Sequence, residues 1–218
     1  MSDPVLARTA ARYRNCGRFT RHYVASKLKR DPIHGVLLDL ARVGGFGEIV
    51  DIGCGRGQIT VALLEAGLAT SSIALDWAGV SLADLRRAGH GLPITTVERD
   101  LSRDFRVPAG DTGLIIDVLY TMERGAALKL LDAVADAARD RVLVRSLDAS
   151  EGWRGRFAVT LERLARPFWP HTGARVDPLP PAALAAALER RGFRTRMMPC
   201  WGKTPFANVL IIADRRLH

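Results

Sequence analysis

Short apolar runs and stretches of helical periodicity alternate along most of the chain. Runs of strand length fall at Glu48–Ile52, Ser72–Leu75, Ile94–Glu98, Thr112–Asp117 and Arg141–Ser146, with helical patterns between them at 57–67, 79–89 and 125–139. Alternation of this kind marks a mostly parallel sheet with helical crossovers. A last helix, Pro181 to Arg191, stops at Gly192, and two closing strands, Phe193–Met198 and Ala207–Ala213, follow with only a turn between them. Strands joined that way form a hairpin, so the final strand should run against the others. The expected fold is therefore α/β: a Rossmann-like sheet of seven mostly parallel strands, the last antiparallel, with helices on both faces.

Two regions depart from the alternation. Residues 4–43 read as helix with breaks at Cys16-Gly17 and Asp31-Pro32, and Pro32 suits the first turn of a helix capped by Asp31, running from Ile33 to Val43 and closed by Gly44-Gly45. This predicts a helical extension over 1–45 ahead of a single core domain over 46–218. Within that domain, residues 148–180 hold a helical piece, Trp153 to Leu164, and then Pro167-Phe168-Trp169-Pro170-His171. An insertion there would lie above the sheet edge where lids and acceptor pockets are built.

Composition narrows the class only modestly. The chain has 218 residues, 48% hydrophobic and 25% charged, as in an ordinary globular enzyme of one domain. No apolar run approaches the roughly 18 residues of a membrane span, and the N-terminus lacks a signal-peptide stretch. Cys16, Cys54 and Cys200 have neither metal-ligand nor paired spacing. A reduced, cytoplasmic protein without metal is expected. The net charge of +9 is uneven: Arg8, Arg12, Arg14, Arg18, Arg21, Lys27, Lys29 and Arg30 stand against Asp3 alone in the first 30 residues. Such a segment would suit nucleic acid, an acidic carrier protein or an anionic lipid surface, or else is a solvated helix face.

The chemistry concentrates at Val50-Asp51-Ile52-Gly53-Cys54-Gly55-Arg56-Gly57, the end of a strand, a carboxylate and three glycines on alternate positions before a helix. Glycine at Gly53, Gly55 and Gly57 lets the backbone turn sharply and approach a ligand closely. A dinucleotide site wants G-x-G-x-x-G and phosphates at the helix N-terminus; here Gln58 stands where the third glycine should fall, and Asp51 brings a negative charge. A cationic cofactor fits better, and S-adenosylmethionine carries a sulfonium and an ammonium but no phosphate. Three further carboxylates end successive strands, where the crevice of an open sheet lies. Asp76 is placed to accept hydrogen bonds from two ribose hydroxyls, with Trp77 beside it for an adenine face. Asp100 and Leu101 follow the third strand, and Asp117 the fourth. For catalysis the candidates are His171 as a base, Tyr120 just past Asp117, and Arg145, a charge on a strand that must be paired or face the crevice; Asp148 or an acidic acceptor would pair it. Trp153, Phe157, Phe168 and Trp169 would wall an apolar acceptor site or form a small satellite core.

The D-x-G-x-G-x-G pattern and the segment from Ile49 to about Leu147 resemble class I S-adenosylmethionine-dependent methyltransferases. The flanks, Lys27-Leu28-Lys29-Arg30-Asp31-Pro32, Val144-Arg145-Ser146-Leu147-Asp148 and Gly202-Lys203-Thr204-Pro205-Phe206-Ala207-Asn208-Val209, are similar to a bacterial subgroup found beside polyketide, fatty-acid-like or aryl-polyene pathways. The resemblance implies Asp100 at the adenine amino group and Asp117 at the methionine end, and it does not settle the acceptor. The leading reading is methyl transfer to a small or carrier-bound apolar acceptor, at oxygen, by direct displacement. Relatives have an acid where this chain has Ser146, so that acid's role does not carry over. The competing readings are an RNA methyltransferase using the basic N-terminal helices, and a Rossmann-type nucleotide-binding protein without turnover.

Overall fold

The computed structural model describes residues 3–149, 160, 178–202, 204 and 207–216. Most of the expected insertion lies outside them, His171, Trp153, Phe157, Phe168 and Trp169 included. Three helices open the chain, α1 (Pro4–Arg12), α2 (Arg18–Arg30) and α3 (Ile33–Arg42). The alternating part follows as β1 (Glu48–Ile52), α4 (Gln58–Glu65), β2 (Ser71–Asp76), α5 (Gly79–Ala88), β3 (Ile94–Glu98), β4 (Gly110–Ile116), α6 (Arg124–Ala137) and β5 (Ala138–Leu147). The chain closes with α7 (Pro181–Arg190), β6 (Phe193–Pro199) and β7 (Asn208–Arg215). No helix among the described residues is long and apolar enough to cross a membrane.

The seven strands form one sheet in the order β3-β2-β1-β4-β5-β7-β6. β7 is antiparallel to both β5 and β6, while the other pairings are parallel. The order reverses between β1 and β4, which opens a crevice at their C-terminal ends. Both faces are covered, so alternate side chains of one strand enter different cores. On β5, Val142 and Val144 pack with Leu130 of α6 and Leu188 of α7. Leu143 faces the other way, with Leu37 and Leu38 of α3 and Leu63 of α4. A third cluster joins Val24 and Leu28 of α2 to Leu82 and Leu85 of α5.

The N-terminal helices are thus packed onto the sheet, and part of their charge is neutralised there. Glu65 at the end of α4 meets both Arg8 and Arg12. Asp31 accepts the Ile33 N–H at 3.2 Å from one residue outside the helix start, which falls at Pro32. Helix α6 ends two residues before the expected boundary and β5 begins at once. Ala138 already pairs with Gly110, and the next residue, Arg139, is held by Asp111 at 2.7 Å and Glu48 at 3.3 Å.

Candidate functional site

The turn after β1 is left-handed at Gly53 (φ 68°), Gly55 (φ 54°) and Gly57 (φ 70°). A side chain costs strain at each, but the three glycines have different surroundings. A Cβ on Gly53 would lie 2.5 Å from Val118, and one on Gly57 2.3 Å from Leu85, whereas a Cβ on Gly55 would meet nothing within 4 Å. The turn's amides are engaged by the protein: Gly53 and Cys54 donate to the Leu75 carbonyl, Gly57 to that of Cys54, and Gly55 to the Asp76 carboxylate at 2.8 Å. These four amides are turned onto the protein rather than aimed at a ligand, as a phosphate cradle would need of them.

Asp51 is only 3% exposed, under α4, and accepts the Thr60 hydroxyl at 2.6 Å. Burial pushes its carboxyl up to about 6, the Asp76 charge adding to the rise and the Thr60 hydrogen bond opposing it. Asp76, at the end of β2, accepts from the Gly55 and Ala78 amides, both at 2.8 Å, and from that of Trp77. Its carboxyl is raised by burial, against the pull of those amides.

A cavity of about 810 Å³ opens beside this turn, and Gly53, Asp76, Trp77, Asp100, Leu101 and Asp117 are in its walls. Trp77 is 44% exposed and Leu101 buried. Asp100 is exposed and folds back onto Ser102, which with Arg103 holds its carboxyl below the usual range.

Asp117 also lines a second cavity, of about 1190 Å³, between the N-terminal helices and the ends of β4, β5 and β7. At φ 64° it is, among the described residues, the one non-glycine in the left-handed region, a strain that persists only where the surroundings enforce it. Arg145 enforces it. That arginine is 1% exposed and donates Nε to Asp117 Oδ1 at 2.9 Å, with a second, shorter bond from Nη2. Its outer edge grips Asp31, from the α2–α3 junction, in the same bidentate way. The carboxylate partners of Arg145 are therefore Asp117 and Asp31, in place of the expected Asp148 or an acidic acceptor. Burial works against both charges of the pair. The carboxylates nonetheless drive Arg145 well above its ordinary value, and Arg145 holds Asp31 well below its own. Lys27 adds a contact to Asp31 at 3.5 Å. Tyr120 is buried in the wall of the larger cavity, with Leu147 and Asn208.

Arg56 was not singled out by sequence. Standing between two glycines of the turn, it donates to Thr20 at 3.1 Å, pairs with Asp84 at 3.4 Å, and lies over the rings of Phe19 (5.3 Å) and Tyr23 (5.2 Å). Its carbonyl accepts the Tyr13 hydroxyl at 2.7 Å. The turn is thereby fastened to α2, whose Phe19 and Tyr23 line the larger cavity. An arginine inside the glycine motif was the visible signal, but its partners are remote in sequence.

No protein-family model matches the chain, and no curated protein does. Solved structures do match. Magnesium protoporphyrin IX methyltransferase from Synechocystis PCC 6803, with bound SAH, superposes with a TM-score of 0.65 at 17% identity, over 99% of this chain and 95% of that one. The fold is that of the class I S-adenosylmethionine-dependent methyltransferases. The N-methyltransferase NodS from Bradyrhizobium japonicum WM9, in complex with S-adenosyl-L-homocysteine, gives 0.64 at 14% identity over 99% and 100%. The pyocyanin biosynthetic protein PhzM gives 0.62 at 25% identity over 94% of this chain and 61% of that one. Of these three neighbours only NodS is named for the atom it methylates, so the likeness does not carry an acceptor with it.

Proposed function

We propose that the chain is an S-adenosylmethionine-dependent methyltransferase, with the cofactor in the smaller cavity, an apolar acceptor in the larger, and transfer to an acceptor oxygen where the two meet. The observation that carries this reading is Asp117, a strained and doubly anchored residue common to both cavities. The donor set fits the cofactor. Asp76, Asp100 and Asp117 offer hydrogen-bond-accepting anions to a ligand with hydroxyls, an amino group and positive charge, and the amides of Gly53, Cys54, Gly55 and Gly57 are already engaged.

When bound, S-adenosylmethionine supplies an electrophilic methyl group on a sulfonium. The protein's part is then mainly placement. Asp76 would hold the ribose, Trp77 and Leu101 would flank the adenine, and Asp100 would meet its amino group. Asp117, locked by Arg145, would fix the methionine end against the acceptor, while Tyr120 and Leu147 shape the acceptor's side. Orientation of this sort supplies roughly 7–11 kcal/mol of a barrier, so a site without a catalytic triad is adequate to the chemistry.

Calorimetric titration with S-adenosylhomocysteine tests the reading. The wild type should bind it, and Asp76→Ala should bind at least about tenfold more weakly, since hydrogen bonds to a charged group contribute roughly 1.5–3 kcal/mol each. Binding of NADH instead, or an unchanged affinity in the variant, refutes it. An RNA oligomer whose affinity falls steeply with salt would move the acceptor from a small molecule to RNA.

A further inference from the structure

Helix α2 presents two different faces to the protein. Thr20, Val24 and Leu28, four residues apart, are buried against the fold. Phe19, His22, Tyr23, Ser26, Lys27 and Arg30 share the helical spacing of a second stripe, and all line the larger cavity. That stripe is aromatic at one end and cationic at the other.

The cavity's charges are not alike. Its carboxylates are matched: Asp3 and Asp39 meet Arg42, Asp31 meets Lys27 and Arg145, and Asp117 meets Arg145. Lys29 and Arg30 are exposed and line the same cavity, yet have no carboxylate partner among the described residues. The cavity's carboxylates are therefore compensated, whereas the last turn of α2 adds unmatched positive charge beside them. Basic residues in the last turn of a helix gain a little from its dipole, but that gain does not require them to border a cavity.

We propose that the acceptor is an amphiphile bearing an anionic group, with that group against Lys29 and Arg30 and its apolar body lying along Tyr23 and Phe19 towards Asp117. The proposal rests on reading the larger cavity as the acceptor's. It narrows the acceptor class to a carboxylate-, sulfate- or phosphate-bearing molecule whose uncharged remainder is apolar and reaches inward. The charge sets which molecules enter, and the apolar wall sets how far they go.

Two fluorescent probes with the same aromatic body separate these contributions: 1-anilinonaphthalene-8-sulfonate, which is anionic, and N-phenyl-1-naphthylamine, which is neutral. Titrated into the full chain, the anionic probe should bind about tenfold more tightly at low salt, with the ratio shrinking as salt rises. Lys29→Gln combined with Arg30→Gln should erase the ratio and leave the neutral probe unaffected. Ser26→Trp, an exposed position on the cavity stripe, should weaken both probes with the melting temperature unchanged. Equal affinities in the wild type, or binding that survives Ser26→Trp, overturn the proposal. Loss of both probes equally in the Lys29/Arg30 variant overturns it too. So does tight binding of a single-stranded RNA oligomer through Lys29 and Arg30 without discrimination between the probes. S-adenosylhomocysteine is titrated in parallel; its failure to bind would sink the methyltransferase reading, whereas the probe ratio judges the anionic acceptor alone.

Discussion

Burial displaces two titratable residues of this protein in opposite senses. Asp51 is raised to about 6, while the His34 imidazole, its Nδ1 against the Asp31 carbonyl, is lowered to about 4 by burial despite the nearby Asp31 charge. As pH rises from about 4 to 6, the folded state keeps a proton on Asp51 that the unfolded chain releases, so this group takes stability away, at most roughly 3 kcal/mol. His34 acts the other way over about the same range: the unfolded chain holds the proton, and stability grows with pH. The two slopes oppose each other in the wild type. Asp51→Asn should therefore gain stability from pH 4 to 6.5 more steeply than the wild type in denaturant titrations; equal slopes would refute the burial assignment. The glycines make a second residue-level contrast. Gly55→Ala should cost only the left-handed strain, about 1–2 kcal/mol. Gly57→Ala adds a clash with the fully buried Leu85 and should cost roughly 1–3 kcal/mol more. The larger Gly55→Val should remain folded yet fail to bind S-adenosylhomocysteine.

Among elements, what could be read from sequence divides by range. The strands were legible because two-sided burial makes them continuous apolar runs, as at Val142, Leu143 and Val144 of β5, where each face has its own core. The hairpin direction of β7 followed from a connection too short for a crossover. That Asp76, Asp100 and Asp117 come to the wall of one cavity was legible because strand ends face the crevice. The α6–β5 boundary was not, since pairing of Ala138 with Gly110 overrides a good helical composition. Nor was the partner of Arg145, because Asp31 is 114 residues away and only the packed α3 brings it near. The link between α2 and the glycine turn is equally remote from local pattern. Tyr13→Phe removes a hydrogen bond to the Arg56 carbonyl and should cost about 1 kcal/mol. Hydrogen exchange should quicken in the turn and in α2 together; an effect confined to α1 would argue against the link.

Across the whole molecule, the N-terminal helices share apolar clusters with the sheet: Val5, Ile33 and Leu37 lie with Ile49, Leu114 and Leu143. They should melt with the sheet in one transition, and a separate early transition would show them to be an appendage. Arg145 ties both parts to the site. Arg145→Leu leaves Asp31 and Asp117 facing each other without their shared partner, and should cost roughly 3–5 kcal/mol, the scale for breaking a buried ion pair. Asp31→Asn keeps the Asp117 half of the fork and should be the milder change in chemical denaturation.

The two cavities differ in ancestry within the chain. Among the described residues, the smaller takes its walls from the ends of β1 to β4 and the start of α6, and the larger takes more than half of its walls from α1 to α3 and the loops joining them. Among the described residues, one enclosure is therefore supplied by the alternating α/β part, and the other mostly by docking a separate piece of chain upon it. Substitutions in α2 and α3 that spare Arg145, Asp31 and the Arg56 contacts can change what is accommodated without touching the first enclosure. The molecule is in this sense a fixed chassis with an exchangeable front, and graft experiments should begin at the helices rather than at the strands.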